Sequence, residues 1–472
     1  MNSPKFPPTD PNCYIYGDAE YSVSAETLRM NTARVWTWAI TVALGGFLFG
    51  FDTAVISGAE RAIQAEFGLS DLAIGQIVAM ALYGTIIGAI FGGVPADRYG
   101  RKVTLIAIAI LYLVSAAGSA LAADPLQLNI FRFLGGLGVG ASSVVAPLYI
   151  TEVAPANQRG QLVAAFQLNL VIGILVAYFS NYLIVNATDG VDWRLMLGVE
   201  VVPALMFLVL LFFVPRSPRW LLTKAGNRDE ALDVLMRIDP STADYELKRI
   251  EASNTTQETV ALSTFFSGKY NRPILYAFLF AFFNQVSGIN AVIYYAPRIF
   301  EAASLGTESA FLSSVGIGVV NVLFTFIGMY LIDRSGRKNL MYIGSLGYII
   351  SLSAVSWAFF TGNLEGLIVP IWLFVFIASH AIGQGAVIWV FISEIFGNEV
   401  RGLGASLGST THWIFAALIG GNFPFLASTF GEGPIFALFA LCMVGQLAFV
   451  YFLMPETKGV ELEDLQEKLI SR

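Results

Sequence analysis

Polar positions are scarce along most of this chain, and they fall in a regular rhythm. Apolar runs of about 20 residues, the length of a bilayer crossing, occupy 35–57, 74–96, 103–123, 126–150, 161–186, 194–214, 273–300, 309–332, 339–360, 366–392, 403–428 and 434–454. Short polar turns separate them, apart from one long polar insert. The pattern predicts an all-α membrane protein with twelve transmembrane helices in two six-helix halves, 35–214 and 273–454. A tail at 1–34, a helical linker at 215–272 and a second tail at 455–472 complete the organisation. In the linker, Leu232, Leu235, Met236 and Ile238 recur at helical spacing, which suits short amphipathic helices lying on a membrane face.

Composition agrees: 56% of the residues are hydrophobic and 13% charged, unlike an ordinary soluble domain. The first 30 residues lack the apolar core of a cleavable signal. Two cysteines, Cys13 and Cys442, are too few for a disulfide framework. With both termini cytoplasmic, all but four of the 27 Lys and Arg residues fall on the cytoplasmic side; Arg61, Arg194 and Arg298 fall outside and Arg132 within a span. That asymmetry sets the expected orientation.

The halves repeat. Asp97-Arg98-Tyr99-Gly100-Arg101-Lys102 returns as Asp333-Arg334-Ser335-Gly336-Arg337-Lys338. Glu152 with Arg159-Gly160 returns as Glu394 with Arg401-Gly402, and Pro215-Arg216-Ser217 returns as Pro455-Glu456-Thr457. All three recur at roughly the same spacing of about 240 residues, which marks a parallel duplication. Arg98, Glu152, Arg159, Arg334, Glu394 and Arg401 are thereby expected to form cytoplasmic ion pairs that hold the halves together when that side is closed.

Chemistry enters where polar groups interrupt the apolar runs. Asp52, Arg132 and Glu200 are ionisable groups inside spans, where an unpaired charge is costly and a functional role is the default. Asp52 is the best-placed acid for Arg132, and a helix-end carboxylate facing water is the alternative. The stretch from Asn284 to Tyr295 packs two asparagines, Gln285, Ser287 and two tyrosines into a span, with Ser287-Gly288 weakening the helix there. Amides and phenols offer paired donors and acceptors without net charge, which is what a neutral polyhydroxylated solute requires. The same groups would also suit a polar interhelical seam. Gln167, Asn321, Gly385, Trp389 and Trp413 add amides, a flexible backbone and indoles that could stack on a sugar face. His380 and His412 are the two histidines of the chain, either of which could be a plain interhelical hydrogen-bonder. No nucleophile or metal cluster is readable, so neither an enzyme nor a cofactor is expected, and no nucleic-acid partner.

These motifs together resemble the sugar porters of the major facilitator superfamily. The likeness runs from Gly45 to about Leu462 and rests on Asp52 to Gly58, both Asp-Arg-x-Gly-Arg-Lys turns, Pro147 to Glu152, Gln285 to Tyr295, Trp389 with Ser393-Glu394, and Pro455 to Gly459. It is similar to bacterial proton–xylose and proton–glucose symporters and to the glucose facilitators. The resemblance implies the major facilitator fold, alternating access and a monosaccharide, hexose or pentose, bound between the halves. It implies sugar ligands at Gln167, Gln285, Asn290, Asn321 and Trp389, a pocket lined by Phe49, Tyr294, Gly385 and Trp413, and a proton-linked pair at Asp52 and Arg132 with Glu200 as a second acid. A proton would be the coupling ion, the lipid bilayer the surroundings, a bacterial cell membrane the location and a monomer the working unit. Asn284, His380, His412 and Arg216 depart from the family pattern at positions where a glutamine, a phenylalanine, an amide and a glutamate are usual. A sugar uniporter with a structural Asp52, and a proton-coupled polyol carrier, are the alternatives.

Overall fold

Each apolar run becomes a helix, because a helix satisfies every backbone N–H and C=O within one segment. The computed structural model describes residues 13–16, 19–22, 25–155, 158–188, 190–253, 262–397, 399–460, 465 and 469. Twelve helices among them are long and apolar enough to cross a membrane. We number these α1 (Thr32–Glu66), α2 (Asp71–Phe91), α3 (Arg101–Ala120), α4 (Pro125–Val153), α5 (Arg159–Ala187) and α6 (Trp193–Leu211) in the first half. The second half holds α7 (Asn271–Ala302), α8 (Thr307–Ser335), α9 (Arg337–Thr361), α10 (Ile368–Glu394), α11 (Arg401–Phe430) and α12 (Glu432–Phe452).

Two expectations at the start of the chain change. The segment expected to be a featureless tail carries a two-stranded antiparallel hairpin, Cys13–Tyr16 with Ala19–Ser22, and a helix already under way at Ala25. At its other end α1 runs to Glu66, nine residues beyond the apolar run that predicted it. Glu60, Arg61 and Gln64 ended the apolar signal but not the helix, since their side chains find partners on the second half. Leu462, at the far end of the family resemblance, lies outside the described residues.

The linker folds on itself. Helices Arg228–Ile238 and Ala243–Ser253 bury Ala231, Val234, Leu235 and Leu247 against Leu221, while Met236 faces outward. We call this the linker side of the molecule and the opposite end the far side.

The halves press together toward the far side. A methyl group on Gly75 of α2 would lie 2.0 Å from the Gly421 carbonyl of α11, and one on Gly58 of α1 2.9 Å from the Phe311 ring of α8. Only bare backbone permits that approach. At the linker-side starts of α5 and α11, by contrast, a methyl on Gly160 or Gly402 would meet nothing within 4 Å. Backbone contact between the halves is thus seen at the far side, while these two linker-side glycines face open space.

Candidate functional site

Asp52 of α1 and Arg132 of α4 meet deep inside the first half. Arg132 Nη1 donates to Asp52 Oδ1 at 2.5 Å, and the two residues are 2% and 3% exposed. Small residues make room: a methyl on Gly135 would collide with Ser115 Oγ and come within 3.7 Å of the Asp52 carboxylate. Arg132 Nε is buried without a hydrogen-bond partner. Glu200 of α6 is also buried, close enough to interact electrostatically with both, yet it forms no ion pair among the described residues. One guanidinium therefore interacts with two acids and is bonded to one of them.

From this pair a small cavity of about 10 Å³ leads toward the second half, lined by Phe49, Asp52, Thr53, Arg132, Tyr294 and Trp413 among others. That volume suits about one water molecule. The expected proton-linked pair and the three expected pocket aromatics, Phe49, Tyr294 and Trp413, thus share one space.

The polar stretch of α7 breaks as its sequence implied. Helix Asn271–Val286 ends at Ser287-Gly288 and Ile289–Ala302 resumes. Gly288 turns the chain at φ +83°, a conformation that strains residues with a side chain. Ser287 Oγ donates to the Asn284 carbonyl at 2.6 Å and receives the Ile289 N–H at 3.3 Å, covering backbone groups freed by the break. A second interruption lies at Tyr295, before Pro297. Proline has no N–H to offer the Ile293 carbonyl one turn back. Tyr178 of α5 supplies the donor across the halves instead, at 2.7 Å.

Around the first break the amides cluster. Asn290 Nδ2 donates to Gln285 Oε1 at 2.9 Å, and Gln285 Nε2 donates to Asn284 Oδ1 at 3.0 Å while lying 3.1 and 3.2 Å from the two ring nitrogens of His412. Asn284 turns its amide into the second half, toward Gln384 at 3.3 Å. His412 sits between two indoles, with ring centres 5.2 Å from Trp389 and 4.7 Å from Trp413, and Trp413 reaches Phe49 of the first half at 5.5 Å. Trp389 is 40% exposed and offers a free aromatic face beside this cluster.

Four of the expected ligands stand apart from the amide cluster. Gln167 is half-buried on α5 and makes no hydrogen bond to it among the described residues. Asn321 is buried on α8, where its Oδ1 accepts from Thr325 Oγ1 at 3.5 Å. His380 is engaged with the Tyr348 hydroxyl at 2.6 Å, on the side of α10 that faces α9. Gly385 lies beside it, at the break in α10, where a methyl group would meet the His380 carbonyl at 3.1 Å. Gln446 and Tyr178 were not foreseen. Gln446 was visible as a lone amide in an apolar span, as Gln384 was beside Gly385, the same sign that exposed Asp52.

The charged turns at the linker side bond differently from expectation. Glu152 pairs with Arg101, not Arg98, at 2.9 Å, and Glu394 pairs with Arg337, not Arg334, at 2.7 Å. Ser217 donates to Glu152 at 2.5 Å and Thr457 to Glu394 at 2.6 Å, completing two matching triads one repeat apart. Gly100 and Gly336 start α3 and α9 so that the arginine after each points inward, while Arg98 and Arg334 lie over the rings of Tyr99 and Tyr330. Arg159 forms no ion pair among the described residues, and Arg401 donates to the Phe396 carbonyl at 3.4 Å. Each triad staples one half to itself. Among the described residues, ion pairs between the halves occur at the far side: Arg298 with Glu60 and Asp71, and Arg61 with Glu301.

Comparison with known proteins places this architecture. Residues 38–469 match the family described as "Sugar (and other) transporter". The arabinose-proton symporter of Bacillus subtilis is 37% identical over 430 residues, covering 90% of this chain and 92% of the relative. The D-xylose-proton symporter of Escherichia coli K12 is 34% identical, covering 92% of this chain and 96% of that one. An inward open structure of the xylose transporter XylE from E. coli matches with a TM-score of 0.81 at 32% identity, over 92% of this chain and 99% of that chain. XylE bound to 6-bromo-6-deoxy-D-glucose matches with a TM-score of 0.75. The chain belongs to the sugar transporter family and has the major facilitator fold. It is a multi-pass membrane protein, and the twelve helices in two halves read from the sequence are those of that fold.

Proposed function

We propose that this protein carries a monosaccharide across a bacterial cell membrane together with a proton, alternating between far-side-open and linker-side-open forms. The linker side lies in the cytoplasm, in keeping with its surplus of Lys and Arg. One polypeptide suffices, because the amides and the ionisable pair arise within one chain. The names of its relatives, arabinose-proton and D-xylose-proton symporters, support a pentose or hexose as cargo.

The buried Asp52–Arg132 pair is the observation that carries the reading. A charge pair held away from water is costly to keep without a use, and breaking it leaves Arg132 uncompensated. A proton arriving on Asp52 neutralises the carboxylate and releases the guanidinium, whose idle Nε can then turn toward Glu200. Proton binding thereby favours one arrangement of α1 and α4 over the other, and a ligand shifts an equilibrium only through such a difference. The sugar would lie between the Gln285–Asn290 amides and the Trp389 face, one cavity away from the pair, with Gln167 and Asn321 reaching it when the halves close.

The test is pH in weakly buffered liposomes given D-xylose, L-arabinose or D-glucose. Alkalinisation outside on addition of one sugar, lost in Asp52→Asn while sugar exchange persists, is the expected result. Sugar counterflow without a pH change would make the protein a uniporter with a structural Asp52.

A further inference from the structure

The amides around the α7 break continue behind it into a single file. Asn284 Nδ2 donates to Gln384 Oε1 of α10 at 3.3 Å, and Gln384 Nε2 donates to Gln446 Oε1 of α12 at 2.9 Å. Gln446 Nε2 donates to Ser345 Oγ of α9 at 2.8 Å. Ser345 Oγ lies 2.7 Å from the Met341 carbonyl. Each of these side chains is 2% exposed or less.

The anchor decides the direction. A carbonyl oxygen only accepts, so the Ser345 proton is committed to Met341 and its oxygen must accept. Gln446 therefore presents its NH₂ to Ser345 and its oxygen to Gln384. The same constraint then passes to Gln384, Asn284 and Gln285 in turn. It ends at Asn290, which gives one of its two Nδ2 protons to Gln285 and whose Oδ1 has no partner among the described residues.

A file with every amide turned over would be equally well bonded up to Gln446. His412 would accommodate the reversed Gln285 by changing tautomer. Ser345 alone separates the two states.

We propose that Ser345, acting through Gln446 and Gln384, fixes the hydrogen-bond polarity of the substrate site, so that Asn290 presents an acceptor and selects a sugar hydroxyl that donates. The three are positioning residues, and none of them touches the sugar. This rests on the reading of Gln285 and Asn290 as sugar-facing amides.

The experiment is binding of D-glucose and D-xylose, with their 2-, 3- and 4-deoxy and fluorodeoxy forms, to purified wild type, Ser345→Ala, Ser345→Thr and Gln446→Leu. Fluorine accepts weakly and cannot donate. In wild type, at the ring position facing Asn290, the deoxy and fluoro forms should both bind about fivefold weaker than the parent, the worth of one hydrogen bond. In Ser345→Ala and Gln446→Leu the fluoro form should gain on the deoxy form at that position, because the file is free to reverse. Ser345→Thr, which keeps the hydroxyl, should restore the wild-type pattern. Ser345→Ala removes a single oxygen, so it guards against failure of Gln446→Leu to fold. A fluoro-to-deoxy ratio that stays at its wild-type value at every position in both variants overturns the proposal and leaves the sugar site standing. Wild type that binds none of the panel removes the site and the proposal together.

Discussion

Arg298 and Glu60 grip each other across the two halves, with Nε to Oε1 at 2.8 Å and Nη2 to Oε2 at 2.6 Å. Glu60 is fully buried, and Gln64 and Asp71 complete the shell around the guanidinium. Among the described residues this is the one two-bond ion pair between the halves, and it lies at the far side.

Cutting that tie should open the far side. Removing one partner of a buried pair costs about 3–5 kcal/mol, which moves a two-state equilibrium by roughly a hundredfold or more. Glu60→Gln keeps the shape and removes the charge. With Cys13 and Cys442 replaced by serine, a cysteine placed at Val78, on the wall of the small central cavity, should react faster with a polar thiol reagent added from the far side when Glu60→Gln is present. An unchanged rate would mean that the helix contacts alone keep the far side shut.

The residue just before the hydroxyl of each linker-side triad differs between the halves, and stability should reflect it. Glu456 receives the backbone N–H groups of Arg337 and Lys338 at the start of α9, each at 3.0 Å. Its counterpart in the first half is Arg216, which leaves α3 without a side-chain cap and reaches only a half-buried Glu230 at 3.6 Å. Arg216→Glu should place an acid at the positive end of α3 and stabilise the protein by about 0.3–1 kcal/mol. A small rise in thermal midpoint would confirm this, and a fall would show that Trp220, packed over Gly100, already fills the space.

Acid should loosen the second half through the same residue. Burial acts to raise the Glu456 carboxyl, but four backbone N–H groups, from Lys458, Lys338, Arg337 and Thr457, outweigh it and hold the group below its ordinary value. A folded value below the unfolded one gives stability that is present above the unfolded pKa and is lost as pH falls through the folded one. Thermal midpoints of wild type and Glu456→Gln should therefore differ most at neutral pH and converge as pH drops below the carboxylate range. A constant gap across that window would remove the charge from the explanation.

Close helix contact makes another position intolerant. A methyl on Gly50 of α1 would sit 1.9 Å from the Leu170 carbonyl of α5. Gly50→Ala should cost about 1–3 kcal/mol by forcing the helices apart, seen as a lower thermal midpoint in detergent. Gly93→Ala, where nothing lies within 4 Å, serves as the neutral control.

Length and apolarity made the twelve spans legible, because a bilayer demands uniform runs of a set length. Depth made Asp52, Arg132 and Glu200 legible, since a charge in an apolar run draws attention wherever it pairs. Choosing between Arg98 and Arg101 required knowing where α3 begins, and three residues along a chain that restarts at Gly100 reverse which arginine faces inward. The bond between Arg298 and Glu60 joins positions in opposite halves, and no local pattern announces it. Arg298 was visible only as a charge outside the membrane. Gln446 stood as a lone amide in its span until the fold bonded it to side chains of two other helices, α9 and α10.

Ions join the halves at the far side but only staple each half to itself at the linker side, and this bears on kinetics. If the linker lies in the cytoplasm, as proposed, an unloaded protein resting in this form would face the cell interior. Each round of uptake must then begin with a return stroke that breaks the Arg298–Glu60 fork before any sugar outside can be met. At low external sugar the rate would be governed by that stroke, so weakening the fork would trade a leakier rest for a faster start.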